Sequence, residues 1–211
     1  MLIVERFDRR LAPGGTHWLR LPQEDMCQAL GVPSALKYES DGGPGVRSIM
    51  DLLLGSRTPD TDRWMFFRAQ VVFWMLCAID GHAKNFSIAI GSGGRFALTP
   101  LYDVLSAWPV VGRGANQLAR ERARMAMAVL SRNRHDRWTE IQPRHWASTA
   151  RACGLDPDEA NRVVLQTATL APAAIERAQA ALPPWFPGDV SGPILDGVGD
   201  AAERLVRGLA R

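Results

Sequence analysis

With 211 residues, 46% of them hydrophobic, the chain is long enough to bury one sizeable core, and one domain is the expectation. A net charge of +3 and a pI near 9.0 make a mild, dispersed basic excess that does not by itself argue for nucleic acid. Three distant cysteines (Cys27, Cys77, Cys153) exclude a disulfide framework and a CxxC zinc site, and charge from the fifth residue together with a longest apolar run of only nine residues (71–79) excludes a signal peptide and a membrane span, so a cytoplasmic protein without membrane contact is expected.

Residues 2–8 are apolar and β-branched at their start and suit a strand. Pro13-Gly14-Gly15 turns the chain, and Trp18 to Leu21 returns as a partner strand. Gln23 to Leu30 reads as a short helix ended near Gly31 and Pro33, and Asp41 to Gly45 as a loop. Arg47 to Leu54 has helical apolar spacing. Asp60 or Thr61 then caps a helix from Asp62 to Ile79 that is apolar nearly all round, with Trp64, Phe66, Phe67, Phe73 and Trp74 among its residues. Such a helix belongs in the middle of a core.

Ser87 to Ile90 and Arg95 to Leu98 alternate on either side of Gly91-Ser92-Gly93-Gly94, which predicts a hairpin. After a loop at Pro109 to Gly114, Gln117 to Leu130 reads as a helix with Arg120, Arg122 and Arg124 at its start; they form a solvated face or contact a phosphate, substrate or partner. A helix opens at Thr139, Gln142 and Pro143 and runs to Cys153, with His145 packed beside Trp146. Asp156-Pro157-Asp158-Glu159 is a strong helix start, with Pro in the first turn and acids on the helix dipole. That helix is expected to run to Leu182 with a bend at Pro172, and an amphipathic helix from Pro193 to Leu209 closes the chain. The fold class is therefore mainly α with short β hairpins.

The chemistry concentrates in 80–103. Asp80 and Asn85 stand five apart, and Asp103 follows one hairpin later. Protein kinases use this spacing: an Asp accepts the substrate hydroxyl proton, and an Asn and a second Asp hold Mg²⁺ on ATP. Mg²⁺ wants few, hard oxygen ligands, and two carboxylates with an amide suit it better than they suit zinc. A polar surface loop after a buried helix, with Asp80 as a cap, would also write these letters. His82, between Asp80 and Asn85, could orient the Asp or touch phosphate.

The surrounding blocks carry a resemblance. Asp80-Gly81-His82-Ala83-Lys84-Asn85-Phe86-Ser87 and the run 100–107 (PLYDVLSA) resemble the HipA family of toxin kinases. So do 4–10 (VERFDRR), 19–28 (LRLPQEDMCQ), 37–45 (KYESDGGPG) and, more faintly, 143–146 (PRHW). The resemblance implies the helical C-terminal lobe of a kinase-like fold over 23–211, with 1–22 as hinge strand and hairpin. It implies a serine/threonine kinase using ATP and Mg²⁺, held in check by a HipB-like DNA-binding antitoxin and acting on a protein such as an aminoacyl-tRNA synthetase. Carried over by residue, Asp80 is the catalytic base with His82 beside it, and Asn85 and Asp103 are metal ligands. Glu5, Phe7, Asp8, Lys84 and Tyr102 lie on the nucleotide side. Kinases of this family carry a glycine-containing phosphate loop and an ATP-binding lysine before the hinge. Here the only lysines, Lys37 and Lys84, belong to other motifs. The expectation is weak or absent activity from this chain alone, or a non-catalytic module that binds the antitoxin or a separate lobe.

Overall fold

The computed structural model describes residues 4–210. It is mainly helical with three small antiparallel sheets. A hairpin of β1 (Arg9–Leu11) and β2 (Trp18–Arg20) comes first. The strand expected over 2–8 falls partly outside the described residues, and 4–8 are coil and turn. The strand instead begins at Arg9, after buried Asp8, whose carboxylate is tied to Arg6 and Arg9 and whose carbonyl accepts Leu21 N–H at 2.9 Å in line with the Arg9↔Arg20 register.

The second sheet has the order β3 (Gln23–Asp25), β4 (Ser87–Ile90), β5 (Phe96–Leu98). Gln23 is therefore strand and not the start of a helix. The helix α1 (Met26–Ala29) opens only after Asp25, whose side chain accepts Gln28 N–H at 3.0 Å while Gln28 Oε1 takes Asp25 N–H at 3.0 Å. The hairpin β4–β5 turns at Gly91–Gly94, where Gly93 and Gly94 have φ of 71° and 74°.

Helix α2 (Val46–Leu52) leads to the central helix α3 (Pro59–Met75). Phe66, Phe67, Val71, Phe73 and Trp74 are all buried, so α3 is enclosed on nearly every side. Two of its buried polar residues tie it to neighbours: Asp62 accepts Leu98 N–H at 3.0 Å, fixing β5 to the helix, and Arg63 donates to the Cys153 carbonyl. At its far end α3 packs on Trp108, Trp138 and Trp146, joined by α4 (Pro143–Ala152), α5 (Pro157–Thr169) and α7 (Gly188–Leu209). The long helix expected to 182 is two: α5 ends at Thr169 and α6 (Ala171–Ala181) restarts with Pro172 in its first turn, where the missing N–H costs nothing.

The expected helix 117–130 is a correction. Its second half is a buried strand, β6 (Arg124–Leu130), paired with β7 (Arg134–Arg137). Met125 to Val129 are buried in succession, and two of their neighbours' demands fix an extended backbone. Ala128 N–H goes to Glu39 Oε2 at 2.6 Å and Leu130 N–H to Thr149 Oγ1 at 2.7 Å. Helix propensity of Ala and Met yields to these tertiary acceptors. Arg120 is exposed but lies over Trp108 and Trp138, at 5.1 and 5.4 Å from the ring centroids, and Arg124 pairs with Asp136 at 2.8 Å.

His145 is buried, its ring stacked on His135 with centroids 3.9 Å apart and planes 12° off parallel. Burial, then the charges of His135 and Arg144, push its imidazole down from 6.5 to about 4. The folded state refuses a proton that the unfolded chain binds. Stability should therefore be full above pH 6.5 and fall as pH drops from there through about 4. His145→Phe should flatten that slope in urea midpoints taken across this range, and an unchanged slope would remove His145 as its source. No helix among the described residues is long and apolar enough to cross a membrane.

Candidate active site

The site begins where α3 ends. Cys77 adopts φ 49°, a left-handed conformation for a residue with a Cβ. Cys77 N–H bonds to Trp74 O at 3.0 Å and Ala78 N–H to Phe73 O at 2.8 Å, the paired bonds of a Schellman end. The chain then turns sharply to place Asp80 at the surface, its side chain 47% exposed. Gly81 is required next. A Cβ there would lie 2.3 Å from Phe73 Cδ2. His82 returns into the interior, 7% exposed at its side chain, and opens a 3₁₀ turn over Ala83–Asn85.

Asn85 is buried and makes both ends of its amide work. Its Oδ1 accepts His82 N–H at 3.0 Å, and its Nδ2 donates to Asp103 Oδ2 at 2.7 Å. Asp103 is exposed and has φ 53°, so the two non-glycine residues with positive φ among the described residues, Cys77 and Asp103, both belong to this site. The hairpin β4–β5 brings Asp103 back. Tyr102 fixes the return by donating to the Lys84 carbonyl at 2.8 Å and sharing a 2.5 Å bond with Ser87 Oγ. Burial pushes the Tyr102 phenol up.

Asp80, His82, Asn85, Asp103 and Tyr102 thus fall on one loop cluster. Asp80 Oδ1 lies 3.9 Å from His82 Nε2. Burial and then the Lys37 charge push the His82 imidazole down, which favours its neutral form. Its Nδ1 is buried with no hydrogen-bond partner among the described residues. Phe7 reaches the cluster by packing on Tyr102, ring centroids 6.0 Å apart. Glu5 is exposed in coil. The Asp8 carboxyl, held at about 2 by its hydrogen bonds and charge contacts with Arg6 and then Arg9, is engaged in ion pairs at 2.7 and 2.5 Å. Lys84 pairs with Asp25 at 2.6 Å, anchoring the loop to the cap of α1.

One participant is absent from the sequence reading. The Tyr38 phenol donates a hydrogen bond to Asp80 Oδ1 from 42 residues away. The only sequence signal for it was its place in the block 37–45.

No three His, Cys, Asp or Glu side chains among the described residues gather tightly enough to hold a metal by themselves. What does gather is the Asn85 amide, which meets the Asp103 carboxylate through Nδ2. Asp103 Oδ1 takes no hydrogen bond among the described residues, and Asn85 Oδ1 keeps a lone pair beyond its bond to His82. Hard oxygens in small number fit Mg²⁺, which keeps waters and phosphate oxygens for its remaining positions.

A central buried helix, a short Asp-x4-Asn loop and a hairpin returning a second Asp make the helical lobe of a kinase-like fold. The fold matches a chain of the solved complex of the Shewanella oneidensis toxin–antitoxin system of HipA, HipB and operator DNA, with a TM-score of 0.84 over 98% of this chain at 23% identity. The family model for the HipA-like C-terminal domain matches residues 1–175, and the chain belongs to that family. It is 45% identical over 107 residues to the Sinorhizobium fredii protein named "Putative kinase Y4mE", and 34% identical over 117 residues to the serine/threonine-protein kinase toxin HipA of Shewanella oneidensis. Each match takes in 50% of this chain but only 25% and 27% of those proteins, and the structural match takes in 49% of the solved chain.

Proposed function

We propose that this chain supplies the catalytic-loop half of a HipA-like serine/threonine kinase, which moves a phosphoryl group from ATP to a protein hydroxyl. The observation that carries the reading is the 2.7 Å bond from Asn85 Nδ2 to Asp103 Oδ2, which sets the two residues proposed here as metal ligands side by side, next to the loop that exposes Asp80. In this reading Asp80 accepts the hydroxyl proton. Asn85 and Asp103 hold Mg²⁺, which when bound offsets the negative charge of the phosphates. His82 braces the loop in its neutral form, and Phe7 with Tyr102 forms an apolar edge beside the metal ligands, suited to the nucleotide. Glu5 and Asp8 would meet it through the backbone, since the Asp8 carboxylate is spent on arginines.

The groups that grip the ATP phosphates would come from a segment outside these residues, on the same polypeptide or a separate one. The name of the solved match supports a HipB-like DNA-binding antitoxin as a partner. The sequence resemblance suggests an aminoacyl-tRNA synthetase as substrate and the cytoplasm as location.

Calorimetry of the complete protein carrying this domain tests the metal site. ATP binding should strengthen on adding Mg²⁺, and Asp103→Ala should weaken the Mg²⁺-dependent part by about tenfold or more, because it removes one of the few hard, charged oxygen ligands the site offers the ion. ATP affinity independent of both Mg²⁺ and Asp103 would favour a non-catalytic partner-binding module.

A further inference from the structure

We propose that Tyr38 is a positioning residue for the proton acceptor: its phenol holds one oxygen of Asp80 and leaves the other to the incoming hydroxyl. The proposal rests on the reading of Asp80 as the base. Tyr38 donates to Oδ1, the same oxygen that faces His82 Nε2 at 3.9 Å. Oδ2 takes no hydrogen bond among the described residues, and the side chain is 47% exposed. A carboxylate pinned through one oxygen has its χ rotation fixed, and the free oxygen is aimed. A general base needs this, because misplacement by an ångström can cost about two orders of magnitude in rate.

Tyr38 is itself held on several sides. Its ring meets the His82 imidazole edge-on at 5.1 Å and 78°, and the Lys37 ammonium lies 5.0 Å over the ring. The Tyr38 carbonyl accepts Asp41 N–H at 3.1 Å and Gly43 N–H at 2.9 Å. That turn closes only on glycine, since a Cβ on Gly43 would sit 2.7 Å from the same carbonyl oxygen. The Lys37 carbonyl accepts Ala83 N–H at 3.3 Å, a strut from the Tyr38 segment to the catalytic loop. The hydrogen bond to Asp80 first, then burial and the charges of Asp80 and Asp41, push the phenol up to about 12, so it stays a donor at neutral pH.

Two measurements test the role. In the complete protein carrying this domain, Tyr38→Phe should lower kcat about tenfold, with KM for ATP within about twofold and the urea midpoint unmoved. An unchanged or raised kcat would overturn the proposal; a raised one would mean that the phenol competes with substrate for the base. The second readout needs no turnover. The chain has two tyrosines, Tyr38 and Tyr102. In absorbance titrations Asp80→Asn should bring one phenol ionisation down toward the ordinary value, with Lys37, Asp41 and His82 still facing the ring. Identical titrations in wild type and Asp80→Asn would overturn the pairing. No turnover in the wild-type complete protein would overturn the kinase reading, and the positioning role with it, even where the titration shows the pair.

Discussion

Asp80→Asn should lower phosphoryl transfer by the complete protein about 10²–10⁴-fold while leaving the fold in place. The factor is what a positioned general base commonly contributes, and it corresponds to roughly 3–5 kcal/mol of barrier. The amide is the same size as the carboxylate but accepts no proton at neutral pH. Its Oδ1 can still accept the Tyr38 phenol, so the loop keeps its tether to the segment at 37–38. Half of the Asp80 side chain already faces water, and a substitution there is expected to move stability by no more than about 0.5 kcal/mol. Phosphate incorporation at saturating Mg²⁺ and ATP, with urea denaturation of the same preparations, separates the two effects. Equal rates in wild type and variant would remove Asp80 from the chemistry. A large loss of stability would instead make it a structural cap of α3.

The sequence was most legible where one local signal and the core agreed. Helix α3 could be read because its aromatic residues leave no polar face, and the hairpin β4–β5 because glycines stand where φ must be positive. The bond between Asn85 and Asp103 was legible only as spacing plus family likeness; the hairpin and Tyr102 supply the geometry that spacing lacks. Failures came where a distant partner decided. Residues 124–130 carry Ala and Met, which favour helix, but the Glu39 carboxylate and the Thr149 hydroxyl claim amides that a helix would have used itself. Tyr38 could not be seen as part of the site for the same reason: its partner is 42 residues away and nothing in its local sequence announces a hydrogen bond to Asp80. Lys84 too has a distant partner that its local sequence does not announce. The resemblance put it on the nucleotide side, and the structure pairs its ammonium with Asp25, 59 residues away.

The second large effect is expected far from the reacting groups, at Trp138. Its ring stacks on Trp74 near the end of α3, centroids 5.1 Å apart and planes 10° off parallel. The two indoles exchange bonds with each other's backbone: Trp74 Nε1 donates to Trp138 O at 3.1 Å and Trp138 Nε1 to Trp74 O at 2.7 Å. Trp108 meets Trp138 edge-on at 5.0 Å. The Arg204 guanidinium lies 5.3 Å from the Trp74 and Trp138 rings while donating to the Thr139 and Ile141 carbonyls at 2.7 Å. Trp138→Ala opens a cavity in this cluster, deprives Trp74 of its stacking partner and uncovers a half-buried cation, so a loss of about 3–5 kcal/mol is expected. Trp138→Phe keeps much of the volume and loses the indole N–H bond, so about 1–2 kcal/mol is expected. Urea denaturation measures both, and a loss under about 1 kcal/mol for Trp138→Ala would show that the cluster is not a keystone of the fold. The effect should also reach the site. Trp74 O, which accepts Trp138 Nε1, is the same oxygen that accepts Cys77 N–H at the end of α3. Loosening it frees the turn that carries Asp80. In Trp138→Phe, which stays folded, hydrogen exchange should therefore quicken at Cys77 and Ala78 before it quickens in the body of α3. Uniform acceleration along the helix would mean that Trp138 stabilises the lobe as a whole and does not set the geometry of the catalytic loop.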